Sequence, residues 1–172
     1  MVLDSISVGP LQAYCYILTK GHEVLVIDPG GEFNKISPYL ESKEIVGVLI
    51  THDHEDHIGA LEYFDKNLIY AYHNLKAGYK TLGPFTFEVI ETPGHSIDSL
   101  TYYFEEDEMM FTGDFLFKGT IGRTDFKGGS DKAMHHSLKK ISKYPNADIY
   151  PGHGLKTTLD KERANNVYFS RL

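Results

Sequence analysis

The chain has 172 residues, 41% hydrophobic and 24% charged, with a formal net charge of −7. That length allows a buried core without disulfides, while the acidic balance argues against a duplex nucleic-acid partner, which needs a basic face. No stretch reaches the roughly 18 apolar residues of a membrane span, and the single cysteine, Cys15, excludes an internal disulfide and fits a reducing cytoplasm.

No Pro/Gly/Ser-rich linker or fixed-period repeat divides the sequence, so residues 1–172 are expected to form one domain. Cys15 is expected to be a small buried strand residue. The run "EVLVIDPGG" predicts a strand ending in a loop that carries Asp28, whose glycines are expected to take positive φ. A helix is expected from about Asn34 to Lys43, shortened by Pro38 to one capped by Ser37. The hydrophobic "IVGVLI" predicts a buried strand that runs into "THDHEDH", followed by a helix over "IGALEYF". Strands are expected within "GPFTFEVIETPG" and "SLTYYFEEDEMMFTG", with turns at Gly83-Pro84 and around Glu105–Asp107. A second helix from about Asp131 to Lys143 has Ser130 as N-cap and an apolar stripe of Met134, Leu138 and Ile141. A last strand, "ADIYPGHG", follows. The two halves echo each other. In each, a strand ends in an Asp-bearing loop, a helix follows, and the next strand ends in a His-bearing loop. Two strand–helix–strand units make the fold class α/β.

The density of metal-binding side chains in "THDHEDH" is the strongest functional signal. A helix would set His52 and His54 about 200° apart, whereas in an extended segment residues two apart point the same way. Asp56 and His57, where the chain turns into the next helix, are placed to face a second ion. His95 in "TPGHS", Asp114 in "FTGDF" and His153 in "YPGHG" each follow a predicted strand beside a glycine. Ligands in open α/β sheets gather beyond the strands' carboxyl ends, where these loops lie. Five imidazoles and two carboxylates are too many for one tetrahedral ion and suit two metals sharing a carboxylate. The expected division is His52, His54 and His95 on one ion; Asp56, His57 and His153 on the other; and Asp114 bridging. His22, His73, His135 and His136 are expected to be structural or exposed. Asp53 and Glu55 are expected to be solvated or to support the ligands, and Asp28 to fix its loop or a ligand.

With "THDHEDH", "PGH", "GD" and "PGHG" in this order, the sequence resembles the metallo-β-lactamase fold superfamily over nearly its whole length. "GDFLFKGTIGRTDFKGG" and "PGHGLKTTLDKERANN" resemble the short, single-domain glyoxalase II-like hydrolases within it. The resemblance implies an αββα four-layer sandwich of two mixed sheets flanked by helices, with a binuclear site at one edge. His54 stands where electron-transferring flavodiiron relatives place Glu. Asp114 stands where many β-lactamases place Cys, and together with His57 argues against a lactam substrate. Asp98 stands where family members often have Gly.

The expected reaction is metal-dependent hydrolysis of a small-molecule thioester, such as a hydroxyacyl-thiol conjugate. Two divalent ions, foremost zinc with iron or manganese as options, would hold the attacking hydroxide, with Asp56 and Asp114 as the catalytic carboxylates. Arg123 in "GRTD" has two readings: it meets an anionic substrate group, or it pairs with Asp125 and shapes its loop. A mononuclear-iron persulfide dioxygenase, using His52, His95 and Asp114, is the alternative chemistry. A metal-stabilised binding module without turnover is the alternative of another class.

Overall fold

The computed structural model describes residues 1–172. Five strands form the first sheet in the order β1–β5: β1 (Val2–Val8), β2 (Ala13–Lys20), β3 (Glu23–Ile27), β4 (Glu44–Leu49) and β5 (Ile69–Tyr70). β1, β2 and β3 run antiparallel, whereas β3, β4 and β5 run parallel. The second sheet has β6 (Gly78–Leu82), β7 (Phe85–Glu91), β8 (Leu100–Phe104), β9 (Met109–Gly113), β12 (Asp148–Pro151) and β13 (Thr157–Thr158), ordered β13-β12-β9-β8-β7-β6. A small ribbon, β10 (Leu116–Phe117) with β11 (Thr120–Ile121), stands apart.

Side-chain alternation builds the layers. Along β2 and β3, Tyr16, Leu18, Leu25 and Ile27 meet Phe87, Tyr102, Phe111 and Tyr150 of the second sheet in one core. The intervening Cys15, Ile17, Val24 and Val26 face the opposite way, onto Ile36, Ala60 and Phe64. On the outside of the second sheet, Met110 and Ile149 pack on α3 (Asp131–Ile141) and α4 (Leu159–Asn165) through Met134, Leu138, Ile141 and Leu159. Both faces of each sheet are covered, so central strands such as "EVLVI" are apolar without alternation. The result is the four-layer α/β sandwich expected from the resemblance.

The two halves match as anticipated. β3 and β4 are parallel around α1 (Phe33–Ile36), and β9 and β12 are parallel around α3. Ser130 caps α3, its Oγ accepting a hydrogen bond from Ala133 N at 3.2 Å, and Met134, Leu138 and Ile141 are its buried face.

The first-half helices depart from expectation. The Asn34–Lys43 helix is a four-residue α1 followed by a 3₁₀ turn, Ser37–Tyr39, and Ser37 is not the cap. Pro38 cannot donate the hydrogen bond that a continued helix requires there. The helix over "IGALEYF" instead begins at Glu55 and ends at Ile58, with a separate 3₁₀ turn over Leu61–Tyr63. A Cβ on Gly59 would lie 2.5 Å from the Gly30 carbonyl oxygen, so this point packs backbone on backbone.

Candidate metal centre

All seven predicted side chains converge where the carboxyl ends of β4, β9 and β12 meet the loop between β7 and β8. His52 and His54 lie on the extended segment after β4, and His54 keeps extended backbone (φ −71°, ψ 142°) as it opens α2 (Glu55–Ile58). His52 Nε2 and His95 Nε2 are each 3.0 Å from His54 Nδ1. Asp56 and His57 come from α2; Asp56 Oδ2 is 3.0 Å from His153 Nε2 and 3.7 Å from His57 Nε2. Asp114 lies between, with Oδ1 3.4 Å from His57 Nε2 and 3.6 Å from His153 Nε2, and Oδ2 3.7 Å from His95 Nε2. A zinc ion held at 2.0–2.1 Å by tetrahedral nitrogens sets them roughly 3.3 Å apart, close to these separations.

Hydrogen bonds at the far ring nitrogens hold the imidazoles in place. His95 Nδ1 donates to the Arg123 carbonyl at 2.8 Å and His153 Nδ1 to the Leu11 carbonyl at 3.1 Å. His57 Nδ1 donates to Asp28 Oδ2 at 2.9 Å. Thr51 Oγ1 donates to that same oxygen at 2.6 Å, which leaves the hydroxyl oxygen to accept from His52 Nδ1 at 3.1 Å. With each Nδ1 proton engaged, the Nε2 atoms of His52, His57, His95 and His153 point inward. Two of the inward atoms, His57 Nε2 and Asp114 Oδ1, are buried and have no hydrogen-bond partner. Buried polar atoms are rarely left unpaired, and a cation between them would satisfy both. Three groups of side chains have donor atoms close enough to hold a metal ion: His52, His54 and His95; His52, His57 and Asp114; and Asp56, His57 and His153.

Electrostatics divide the imidazoles. Burial, and after it the nearby His57, push His52 well below the usual imidazole range. Burial and His95 lower His54 in the same way, so both rings are neutral donors. Burial alone would lower His57, but Asp28 and then Asp114 outweigh it and raise the ring to about 10. Burial would raise Asp114, yet His57 and the other imidazoles hold it at about 2, a carboxylate at any neutral pH.

Asp28 is the loop-fixing residue expected, but its glycines act differently. Asp28 itself takes the left-handed conformation (φ 52°), whereas Gly30 is needed for space, since a Cβ there would lie 1.6 Å from the Asp56 carbonyl oxygen. Gly152 of "PGHG" is similar: its Cβ would stand 2.3 Å from Asp114 Oδ1 and 2.6 Å from His57 Cε1. His22, His73, His135 and His136 are exposed and away from the centre. Arg123 follows its loop-shaping reading, paired through Nε and Nη2 with the two Asp125 carboxylate oxygens at 2.7 Å each.

Sequence reasoning missed Thr51 and Leu11. Thr51 adjoins His52, so its position was the available signal; Leu11 acts through a carbonyl, which no side chain advertises. Asp98, unexplained from sequence, accepts a hydrogen bond from Asp53 N at 2.9 Å and braces the segment between His52 and His54.

Known proteins share this family and fold. The family model of the metallo-beta-lactamase superfamily matches residues 8–85 and 78–153. The chain is 32% identical to a probable metallo-hydrolase, YqgX, of Bacillus subtilis, over 95% of each chain. It is 27% identical to the hydroxyacylglutathione hydrolase GloC of Haemophilus influenzae over 99% of each. Among solved structures, the BLEG-1 B3 metallo-beta-lactamase superposes with a TM-score of 0.92 at 30% identity, covering 98% of this chain and all of that one.

Proposed function

The chain belongs to the metallo-beta-lactamase superfamily of metal-dependent hydrolases, and on that premise we propose that it hydrolyses a small-molecule thioester with two metal ions. The observation that carries the two-ion reading is the pair of unpartnered buried atoms, His57 Nε2 and Asp114 Oδ1, in a cluster that also offers two separate donor triads, His52, His54 and His95, and Asp56, His57 and His153. His52, His54 and His95 would hold one ion, Asp56, His57 and His153 the other, and the two Asp114 oxygens would join them. Zinc, iron and manganese all suit these donors. When bound, such ions supply Lewis acidity, lowering a water's pKa toward roughly 7 and polarising a carbonyl oxygen.

The chain's own residues supply the rest. Nδ1 hydrogen bonds to fixed carbonyls, Asp28 and Thr51 hold the imidazoles in one tautomer and orientation. The Asp56 carboxylate, 19% exposed at the cavity floor, orients the attacking water by accepting its hydrogen bond. A thiolate can depart without a proton donor because it is a weak base, its conjugate acid having a pKa of roughly 8.5. The thioester reading is supported by similarity to GloC, whose name specifies an acyl-glutathione substrate. A mononuclear-iron dioxygenase using His52, His95 and Asp114 would leave the second donor triad, Asp56, His57 and His153, without an ion.

The test is elemental analysis of protein purified without added metal, together with assays of acyl thioesters and, as a control, a β-lactam. About two ions per chain and metal-dependent thioester cleavage without oxygen uptake are expected. Asp114→Asn should lose at least one ion and on the order of a hundredfold in kcat/KM. One tightly held iron with oxygen consumption, faster lactam than thioester cleavage, or no turnover by the two-metal protein would each overturn the proposal.

A further inference from the structure

Two cavities open onto the metal centre. One, of about 520 Å³, is lined by His95, Asp114, Phe117, Arg123 and His153; the other, of about 670 Å³, by Gly9, Pro10, Gly30, Glu55 and Lys127. Both end at His54 and Asp56, and Leu11 and Phe126 line both. Phe126 therefore stands beside His54 and Asp56 in both cavities.

That ring is 45% exposed yet firmly placed. The Arg123 guanidinium lies 3.9 Å from its centroid, and Asp125 clamps the guanidinium in turn. Gly129 N donates to the Phe126 carbonyl at 2.8 Å and closes the turn behind it. No larger residue fits at Gly129, where a Cβ would sit 2.2 Å from the Thr124 carbonyl oxygen. Its ring centroid stands 6.1 Å from that of His54 and 6.3 Å from that of His95, near perpendicular to the first. The same segment supplies the Arg123 carbonyl that orients His95. The guanidinium thus backs an aromatic wall, with its Nε and Nη2 engaged by Asp125.

We propose that Phe126 is a specificity-determining residue, packing against an apolar group carried next to the scissile bond. The inference rests on the hydrolase reading for the name of that bond, but the wall selects by apolar contact whether or not turnover follows. With Leu11, 65% exposed, it gives a charged metal centre an apolar approach. Removing roughly 50 Å² of ring and ligand surface from water is worth about a tenfold preference.

The test is calorimetric titration of the metal-loaded protein with phenylacetate against acetate, and with benzyl mercaptan against 2-mercaptoethanol. The wild-type protein should prefer the larger member of at least one pair by about tenfold, and the pair concerned tells whether the group lies on the acyl or the thiol side. Phe126→Ala should reduce that preference to about twofold or less with metal content unchanged, and Phe126→Leu, still apolar, should keep much of it. Equal affinities within both pairs for the wild-type protein, or a preference that survives Phe126→Ala, would overturn the proposal. Absence of thioester cleavage alongside a Phe126-dependent preference would count against the hydrolase reading alone.

Discussion

Asp28 does three tasks from one buried, left-handed position: it accepts from Thr51 N at 2.8 Å, from Thr51 Oγ1 and from His57 Nδ1. Asp28→Ala strands those donors and frees the His57 ring to turn. The expected cost is about 2–4 kcal/mol in urea unfolding and roughly 10–100-fold in metal affinity, read by chelator competition. Unchanged metal affinity would show that the His57 ring is aimed by something else. The seven side chains that converge were legible in sequence because each is a His or Asp set beside a glycine or in a dense local cluster. Thr51 and Asp98 were not, since what identifies them is a hydrogen bond to a residue 23 or 45 positions away.

At the scale of elements, the ribbon of β10 and β11 beside the metal centre is moored by α4. Glu162 is 3% exposed and has no cation beside it; Oε2 accepts from Gly119 N and Asn166 Nδ2, and Oε1 from Thr157 Oγ1. Asn166 Nδ2 also donates to the Thr120 carbonyl, so both residues grip the turn between the two strands. Glu162→Ala is expected to destabilise the protein by about 2–4 kcal/mol, and to raise KM more than it lowers kcat, because the ribbon carries Phe117 into one cavity. A loss confined to kcat would instead tie α4 to the metal centre itself. Strands of two residues such as β10, β11 and β13 show no period, which is why they could not be read from sequence. The long central strands and α3 could, because their apolar patterns persist for a turn or more. Single-turn α1 and α2 are held by backbone packing at Gly30 and Gly59, which leaves little trace in side-chain pattern.

At the scale of the molecule, the metal centre joins the two sheets: His52, His54, Asp56 and His57 follow the first, while His95, Asp114 and His153 belong to loops of the second. Chelation should therefore lower the melting temperature by roughly 10 °C, since tight binding at a thousandfold excess over Kd contributes about 4 kcal/mol. The gap should widen with pH. In chelated protein His57 has a pKa raised to about 10, so its contribution is fully present below roughly 6.5 and is lost as pH rises toward 10. Metal binding needs the same nitrogen unprotonated and gains over that interval. Melting curves with and without chelator between pH 6.5 and 9 would show it, and a gap that narrows would refute the coupling. The strand–helix–strand echo revealed the α/β class, but the stacking of two sheets came only with the resemblance, because a strand covered on both sides does not disclose what covers it.

The division of the seven side chains between the sheets also sets an order of events during folding. Four of them lie within six positions of one loop and can gather as soon as β4 forms, whereas Asp114 and His153 arrive only when the second sheet closes over the first. Tight metal retention is then a report on that closure. A chain that has formed its strands but not docked them gathers only the first four of these side chains, and Asp114 joins them in the docked state.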